Sequence, residues 1–529
     1  MDEEVPVIII GGSLVGLTAS LLLGHHGVPH ILVERHSGTA IHPRAAAFHQ
    51  RTMEIFRSAG VQEAIEQAAE REFVQNGAIV SVDTLGGREL ACFYRSVNEG
   101  VETLSPTSRL FITQIELEPV LRKRAVELGA DHRYSSEMTR FVQDGSGVTA
   151  TVRSRDGGSE RHIRARYMIA ADGAHSPVRR ALGIAMEGRG DFAQCATIYF
   201  KADVRHLLRQ RNLSVVYVNQ PRLLAFFRFS ITGDAGFLAV FATFDQQGRR
   251  ETLRDEDLSA ERCADLVRDA LGVGEDFTVE IGNVQPWTAT AGAAASFRCD
   301  NIFLVGDAAH LMPPTGGFGG NTGVADVHNL AWKLAMVLDG RAGPALLDSY
   351  EQERRPIAAL TVEQAYRRYV ERVDPSLPSS NLAPNLADTA IELGSIYRSC
   401  AIVSDDESQD LTEAPETPSG RPGTRLAHVW IEVGGERIST LDLAGEFMLL
   451  TGPGGAKWTE AAIRTGGVGV YQIEAEHVAA AVGIAANGAL LLRPDGVIGW
   501  RCDGAVLDPD AALIDALHQL TGAELHTPK

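Results

Sequence analysis

From Val5 to Gly24 the chain carries no charged residue, yet glycines interrupt the run at positions 11, 12 and 16. An apolar stretch of about 20 residues can cross a bilayer, but such spans are not broken by three glycines at turn spacing. Val5 to Ile10 is instead a short β-branched run of the kind buried on both faces of a parallel sheet, with Pro6 tolerated at its beginning. Leu14, Leu17, Leu21 and Leu22 then fall at helical spacing, Gly27 stops the helix, and Ile31 to Val33 forms a second strand ending at Glu34. The expectation is a βαβ unit with an acidic tip.

The residue types in that unit point to a dinucleotide. Glycines let backbone approach a pyrophosphate, the helix N-terminus offers free N–H groups, and an acidic residue about 20 positions on accepts from ribose hydroxyls. The turn reads Gly11-Gly12-Ser13-Leu14-Val15-Gly16, with Ser13 where the second glycine of G-x-G-x-x-G stands. A serine can offer its N–H and hydroxyl to phosphate. A purely structural glycine turn is the competing explanation, and the motif alone does not identify the nucleotide. The same window nearly spells the G-x-S-x-G elbow of serine hydrolases but has Val15 at its last position.

Composition narrows the classes further. The 529 residues suggest two to four domains at ~150 residues each, and 44% hydrophobic with 22% charged residues describes an ordinary globular chain. A net charge of -19 repels phosphate backbones and anionic lipid, so neither nucleic acid nor a membrane is the expected partner. No lysine follows a glycine, which removes the phosphate loop of nucleotide triphosphatases. The six cysteines form neither a disulfide framework nor a C-x-x-C pair, and the N-terminus opens with Asp2-Glu3-Glu4, the wrong sign for a secretory leader; a cytoplasmic protein is expected. Histidines such as His25, His26, His30, His36, His42 and His49 match no metal-ligand spacing, and no metal is expected.

Two later segments repeat the pattern of a strand running into a loop with an aspartate. Tyr167 to Ala171 leads into Asp172-Gly173-Ala174-His175-Ser176-Pro177, and Ile302 to Val305 leads into Gly306-Asp307-Ala308-Ala309-His310 and Pro313-Pro314-Thr315-Gly316-Gly317-Phe318-Gly319-Gly320-Asn321. Beyond Asn321, apolar residues at three- and four-residue steps mark a long helix ending at Gly340. An isolated aspartate of this kind is most often a helix cap; three motifs in order and spacing carry more weight.

Together these motifs closely resemble the class A flavoprotein aromatic hydroxylases, the 4-hydroxybenzoate hydroxylase-like family, over about the first 370 residues. The resemblance implies an α/β fold, a Rossmann-like FAD-binding domain (1-185 and 285-372) with an inserted β-sheet substrate domain (186-284). It implies that Gly11, Gly12, Ser13, Leu14, Val15, Gly16, Glu34 and Arg35 hold the adenosine and pyrophosphate, with Arg44 near the phosphates. Gln114, Asp172, Gly173, Gly306 and Asp307 would serve the rest of the cofactor, Asp307 on the ribityl chain. Pro314, Gly317, Gly319, Gly320 and Asn321 would border the flavin, the glycine-rich segment and helix N-terminus bringing backbone N–H groups to a reduced ring that carries negative charge.

Between the DG and GD motifs, Ala196–Ala202, Ser214–Val218, Leu223–Phe229 and Phe237–Phe244 alternate as strands with many aromatic residues. Most must be core; Tyr217, Phe227, Phe229, Phe237 and Trp287 are the expected substrate contacts. After Arg372 a Pro/Ser/Asn-rich helix/linker region (373-424) is expected, and a new domain from about 425 to 529, with strands at Phe447–Leu450, Val468–Gln472, Ala489–Arg493 and Val497–Arg501. This domain resembles the thioredoxin-like C-terminal domain of the polyketide-hydroxylase branch of the family. Its only cysteine is Cys502, which rules out dithiol chemistry and leaves a structural or dimer-supporting role.

The functional expectation is therefore a FAD-dependent, NAD(P)H-consuming monooxygenase of secondary-metabolite biosynthesis, working as a monomer or homodimer. By resemblance, transiently bound NADPH reduces non-covalent FAD, O2 adds at flavin C4a, and the hydroperoxide hydroxylates a polycyclic aromatic polyketide. No catalytic base is identified. Baeyer–Villiger insertion or multistep rearrangement is the same-class alternative, and a non-catalytic flavin-binding protein the other-class one. A flavin halogenase lacks support, since no Trp-x-Trp-x-Ile-Pro segment occurs.

Overall fold

In the computed structural model, which describes residues 3–41, 47–251, 253, 255–504 and 506–522, the N-terminal strand Glu3–Ile10 lies within the parallel part of a mixed eight-stranded sheet. It pairs with His30–Val33 on one side and Glu160–Ala170 on the other, and Glu160–Ala170 pairs in turn with Ile302–Leu304. Val7, Ile8, Ile9, Leu32, Met168, Ile302 and Phe303 are all fully buried, which explains why these strands read as unbroken apolar runs. Strand order reverses at the central strand, the place where open α/β sheets bind ligands beyond their carboxyl ends.

The register levels those carboxyl ends. Ile10 stands opposite both Val33 and Ala170, and Ala170 opposite Leu304. The next residues along each strand are therefore Gly11, Glu34, the Ala171-Asp172 pair and the approach to Gly306-Asp307, so four distant motifs open onto one edge. Helix Leu14–His25 and helix Phe318–Leu338 pack against each other behind that edge.

A second sheet of nine strands carries all four expected inserted strands, observed as Met186–Lys201, Leu213–Gln220, Leu223–Phe229 and Ala235–Phe244. It also recruits Ala78–Val82 and Glu89–Tyr94, which the expected boundaries left in the FAD-binding domain. Ala78–Val82 pairs in parallel with Leu213–Gln220, more than a hundred residues away, and a pairing that distant leaves no hairpin signal in the sequence.

Alternation along these strands separates two faces. Phe227 and Phe229 pack with Phe200, Leu266 and Val267 against helix Ala260–Leu271. They form the sheet-to-helix core, so their expected role at the substrate is corrected. Tyr217, Phe226, Phe241 and Trp287 lie on the opposite face with Tyr369 of helix Asp348–Arg372, and the Phe237 ring stands 5.6 Å from Phe226 on that same side.

The C-terminal region forms the four-stranded order Gly469–Gln472, Met448–Thr451, Ala489–Leu492, Ile498–Cys502, the first pair parallel and the others antiparallel. Helices Ala456–Thr465, Glu476–Ala481 and Pro509–Thr521 complete the thioredoxin-like arrangement. Buried charges join it to the first sheet's helices. Glu353 is 1% exposed and accepts from Arg493 (2.6 and 3.0 Å), Lys333 (2.8 Å), Asn329 and Ser399. Glu54 accepts from Arg425, Arg51 and Ser105.

Removing one partner of such a buried cluster strands the others' charges. Glu353→Ala is expected to cost about 3–5 kcal/mol, read as a lowered melting temperature; a melt indistinguishable from the parent's would refute this. Glu54 gives a pH signature. Burial pushes its carboxyl up, but the Arg425 and Arg51 charges outweigh burial and leave it at about 2. A carboxyl held below its unfolded value stabilises the fold fully above about pH 4.5, and loses that contribution as pH falls toward 2. The melting-temperature gap between the parent and Glu54→Gln should thus shrink across that window; a gap independent of pH would count against the assignment.

Candidate active site

The turn after the central strand is built from close approaches. Gly11 adopts φ +103°, and a Cβ on Gly16 would lie 1.9 Å from the Gly11 carbonyl oxygen, so the helix starts in direct contact with the turn. Gly12 donates its N–H to Glu34 Oε2 at 2.6 Å, while Glu34 Oε1 accepts from the His36 backbone. Glu34 therefore ties the tip of the second strand to the turn. Leu14 and Val15 follow in the first helical turn.

Ser13 caps the helix in position but not through its side chain, whose hydroxyl donates to Glu118 Oε1 at 2.7 Å. The expectation that this hydroxyl serves phosphate is corrected, because its proton points at a carboxylate. Glu118 also accepts from the Ala40 N–H; burial pushes its carboxyl up, and these hydrogen bonds bring it only part of the way back. Gln114, at the start of the same helix Gln114–Glu127, keeps its Oε1 buried without a partner. Arg35 is exposed beside Glu34, and Arg44 lies outside the described residues.

The other two motifs meet at the same edge. Asp172 Oδ2 accepts from Val178 and its Oδ1 is buried with no partner; burial raises its carboxyl above the usual range. Gly173 is left-handed at φ +83°. Arg179, from the short helix that follows, donates to the Ala308 and Ala174 carbonyls and so braces the DG turn against the GD turn. Asp307 is exposed on the turn Gly306–Ala308. Gly306 must lack a side chain, since a Cβ there would meet Val15 at 2.8 Å.

Beneath that turn lies a group the sequence reading missed. Asp326 is fully buried and accepts from the Gly306 N–H (3.0 Å), His310 Nε2 (2.7 Å) and Arg354 Nε (3.0 Å). Burial pushes its carboxyl up, but the His310 and Arg354 charges and hydrogen bonds hold it lower than usual. It sits inside an apolar-periodic helix, where a single polar position carries no local signal. Its role is to hold the GD turn.

The glycine segment is shaped by its backbone. Pro314 is exposed, and its carbonyl accepts from Gly317; Gly316 and Gly317 adopt φ +95° and +69°. Helix Phe318–Leu338 begins there without a side-chain cap, leaving Gly319 and Gly320 in a first turn that has unbonded amides by construction. Asn321 spends its whole side chain inside the protein, accepting from His49 N–H and Thr52 and donating to the Ala47 and Gly317 carbonyls. It positions the segment; only its backbone faces the loop as expected of a ligand.

A cradle that Cβ atoms would fill, an acidic residue at the second strand's tip, and two orphaned buried oxygens on Gln114 and Asp172 fit FAD. The fold and site define an FAD-dependent oxidoreductase whose second sheet turns an aromatic face toward helix Asp348–Arg372. Comparison with known proteins agrees. An FAD binding domain model matches residues 4–365 and an aromatic-ring hydroxylase C-terminal model residues 419–523. A 4-methyl-5-nitrocatechol 5-monooxygenase of Burkholderia sp is 47% identical, covering 98% of this chain and 97% of its own. Tetracenomycin A2 monooxygenase-dioxygenase of Streptomyces glaucescens is 38% identical, covering 99% and 98%. The structure of aklavinone-11 hydroxylase with FAD and aklavinone superposes with a TM-score of 0.93 at 34% identity, covering 99% and 100%. The chain belongs to the FAD-dependent aromatic-ring hydroxylases, and it is a monooxygenase that uses FAD, NAD(P)H and O2. No helix among the described residues is long and apolar enough to cross a membrane.

If Asp307 holds the cofactor, Asp307→Ala should purify with much less flavin, measured as the ratio of flavin to protein absorbance and by FAD titration. Unchanged affinity would sink the assignment.

Proposed function

We propose that this enzyme adds one oxygen atom from O2 to a polycyclic phenolic substrate, in the cytoplasm, as part of secondary-metabolite biosynthesis. The observation that carries the substrate class is the whole-chain likeness to aklavinone-11 hydroxylase, joined to the aromatic wall of Tyr217, Phe226, Phe237, Phe241 and Trp287. An apolar aromatic surface suits a fused-ring substrate. Six unpaired cysteines support a reducing compartment. The protein acts as a monomer or homodimer.

FAD, when bound, supplies the electron and oxygen-transfer chemistry. The chain's own residues do the rest. Glu34, Gly12 and the first turn after Gly11 would hold the adenosine and pyrophosphate, Gln114, Asp172 and Asp307 the middle of the cofactor, and the amides from Gly317 to Asn321 the ring. Asp326, His310, Arg354 and Arg179 keep those turns in place, so that little reorganisation accompanies charge build-up at the helix N-terminus. The aromatic wall keeps water from the reacting carbon. No side chain is assigned as a base. A single dinucleotide motif in the chain supports a transient site for NADPH.

A second reading rests on the 47% identity to the nitrocatechol monooxygenase, which favours a single ring bearing a nitro group. One experiment separates them: NADPH and NADH oxidation by the flavin-loaded enzyme with polycyclic phenolic quinones and with nitrocatechols, product masses being read from the same tubes. Stimulation by the quinones with a one-oxygen mass gain is the expected result. Stimulation by nitrocatechols alone would transfer the assignment to the second reading, and none by either would overturn both.

A further inference from the structure

On the face of the second sheet that carries Phe226 and Phe237, one buried cation has no hydrogen-bonded partner among the described residues. Arg228, on strand Leu223–Phe229, is 4% exposed, yet its guanidinium makes no hydrogen bond and no ion pair among the described residues, and its Nε is buried without a partner. Its contacts are with the faces of two rings, Phe73 at 4.0 Å and Phe111 at 3.8 Å from the centroids. Stacking of this kind satisfies a guanidinium's faces but leaves its N–H donors, which lie in its plane, unused. Glu72 is the charge that acts on it, but both Glu72 oxygens already accept from Thr113.

Burying a charge without hydrogen bonds is among the costliest arrangements a fold can keep, and the other buried arginines all make them: Arg354 with Asp326, Arg368 with Asp388, Arg493 with Glu353 and Asp495, and Arg179 with the Ala308 and Ala174 carbonyls. Arg228 differs from them in position as well. Its strand neighbour in register is Phe237, part of the aromatic wall, and Phe111 beneath it pairs with Ala47, which a Cβ on Gly317 would touch at 3.0 Å. Three residues past Phe111 is Gln114. Arg228 thus stands between the aromatic face of the sheet and the strand pair that reaches the glycine segment.

We propose that Arg228 is the substrate's anion-recognition residue, binding an ionised phenol oxygen on the aromatic ring. This rests on the monooxygenase reading above. An in-plane guanidinium meets an in-plane phenolate oxygen edge to edge, supplies charge-assisted hydrogen bonds in a water-poor site, and keeps the ring electron-rich for attack by an electrophilic oxygen. It also holds one ring edge fixed relative to the flavin, making Arg228 a determinant of which carbon is attacked. Burial pushes the guanidinium down to about 9, with the Glu72 charge offsetting only part of that cost.

The test uses the flavin-loaded enzyme with 1,8-dihydroxyanthraquinone, its dimethyl ether and 4-nitrocatechol, comparing the parent, Arg228→Met and Arg228→Lys. Affinity is read from flavin fluorescence and ionisation of the bound phenol from its visible absorption across pH. In the parent the bound phenol should show its phenolate band at lower pH than the free compound. Arg228→Met should keep its flavin content and its affinity for the dimethyl ether, bind the phenol about tenfold or more weakly, and lose the shift in the phenolate band. Arg228→Lys should recover part of both. If the parent binds the phenols but Arg228→Met matches it in affinity and band position, or loses phenol and ether alike, the role of Arg228 falls and the monooxygenase reading stands. If the flavin-loaded parent binds none of the three, both the substrate reading and this inference fall.

Discussion

Ile10, Ala170 and Leu304 come from three segments far apart in the chain, and their backbones stand side by side in one parallel register. That alignment is the constraint on which the site depends. Each strand ends one or two residues later in a glycine or an acid, so a shift of any one strand would carry its motif off the common edge and turn buried side chains to the wrong face. The close contacts at Gly16 and Gly306 then lock the two helices to that edge, because neither turn tolerates a Cβ.

Much of this was legible from sequence because it is local. Apolar runs ending in glycine and aspartate reported the strand-to-turn transitions at Gly11, Asp172 and Gly306, and helical spacing reported the helices after Leu14 and Asn321. What could not be read is what depends on partners distant in the chain. The Ser13 hydroxyl turns to Glu118, Asn321 spends its side chain on His49, Thr52, Ala47 and Gly317, and Asp326 works from inside an apolar helix. The Phe227 and Phe229 error has the same origin. Alternation shows that a strand has two faces, but which of them meets a helix is decided by Ala260–Leu271 folding back from elsewhere.

The C-terminal domain is held to the rest by ionic contacts that are unusually well buried. Glu353 joins helices from the FAD-binding region to Arg493, and Glu54 joins them to Arg425, so neither body keeps a satisfied surface without the other. Hydrophobic docking alone tolerates sliding, whereas a carboxylate with five donors admits one arrangement. The helix that carries Glu353 also carries Arg354, which holds Asp326 under the GD turn. Placement of the C-terminal domain and shape of the cofactor turn thus share one helix.

Strand Leu223–Phe229 presents its odd-numbered residues to the helix-side core and its even-numbered residues, Leu224, Phe226 and Arg228, to the opposite, aromatic face. The pairing shift between Leu224 and Ala225 falls on the partner strand, where Phe241 is the extra residue, and leaves this alternation unbroken. For the history of such a chain this separates two kinds of change along a single strand. A change at an even position alters the aromatic face that packs on Tyr369 and borders Arg228, whereas a change at an odd position alters the core against Ala260–Leu271.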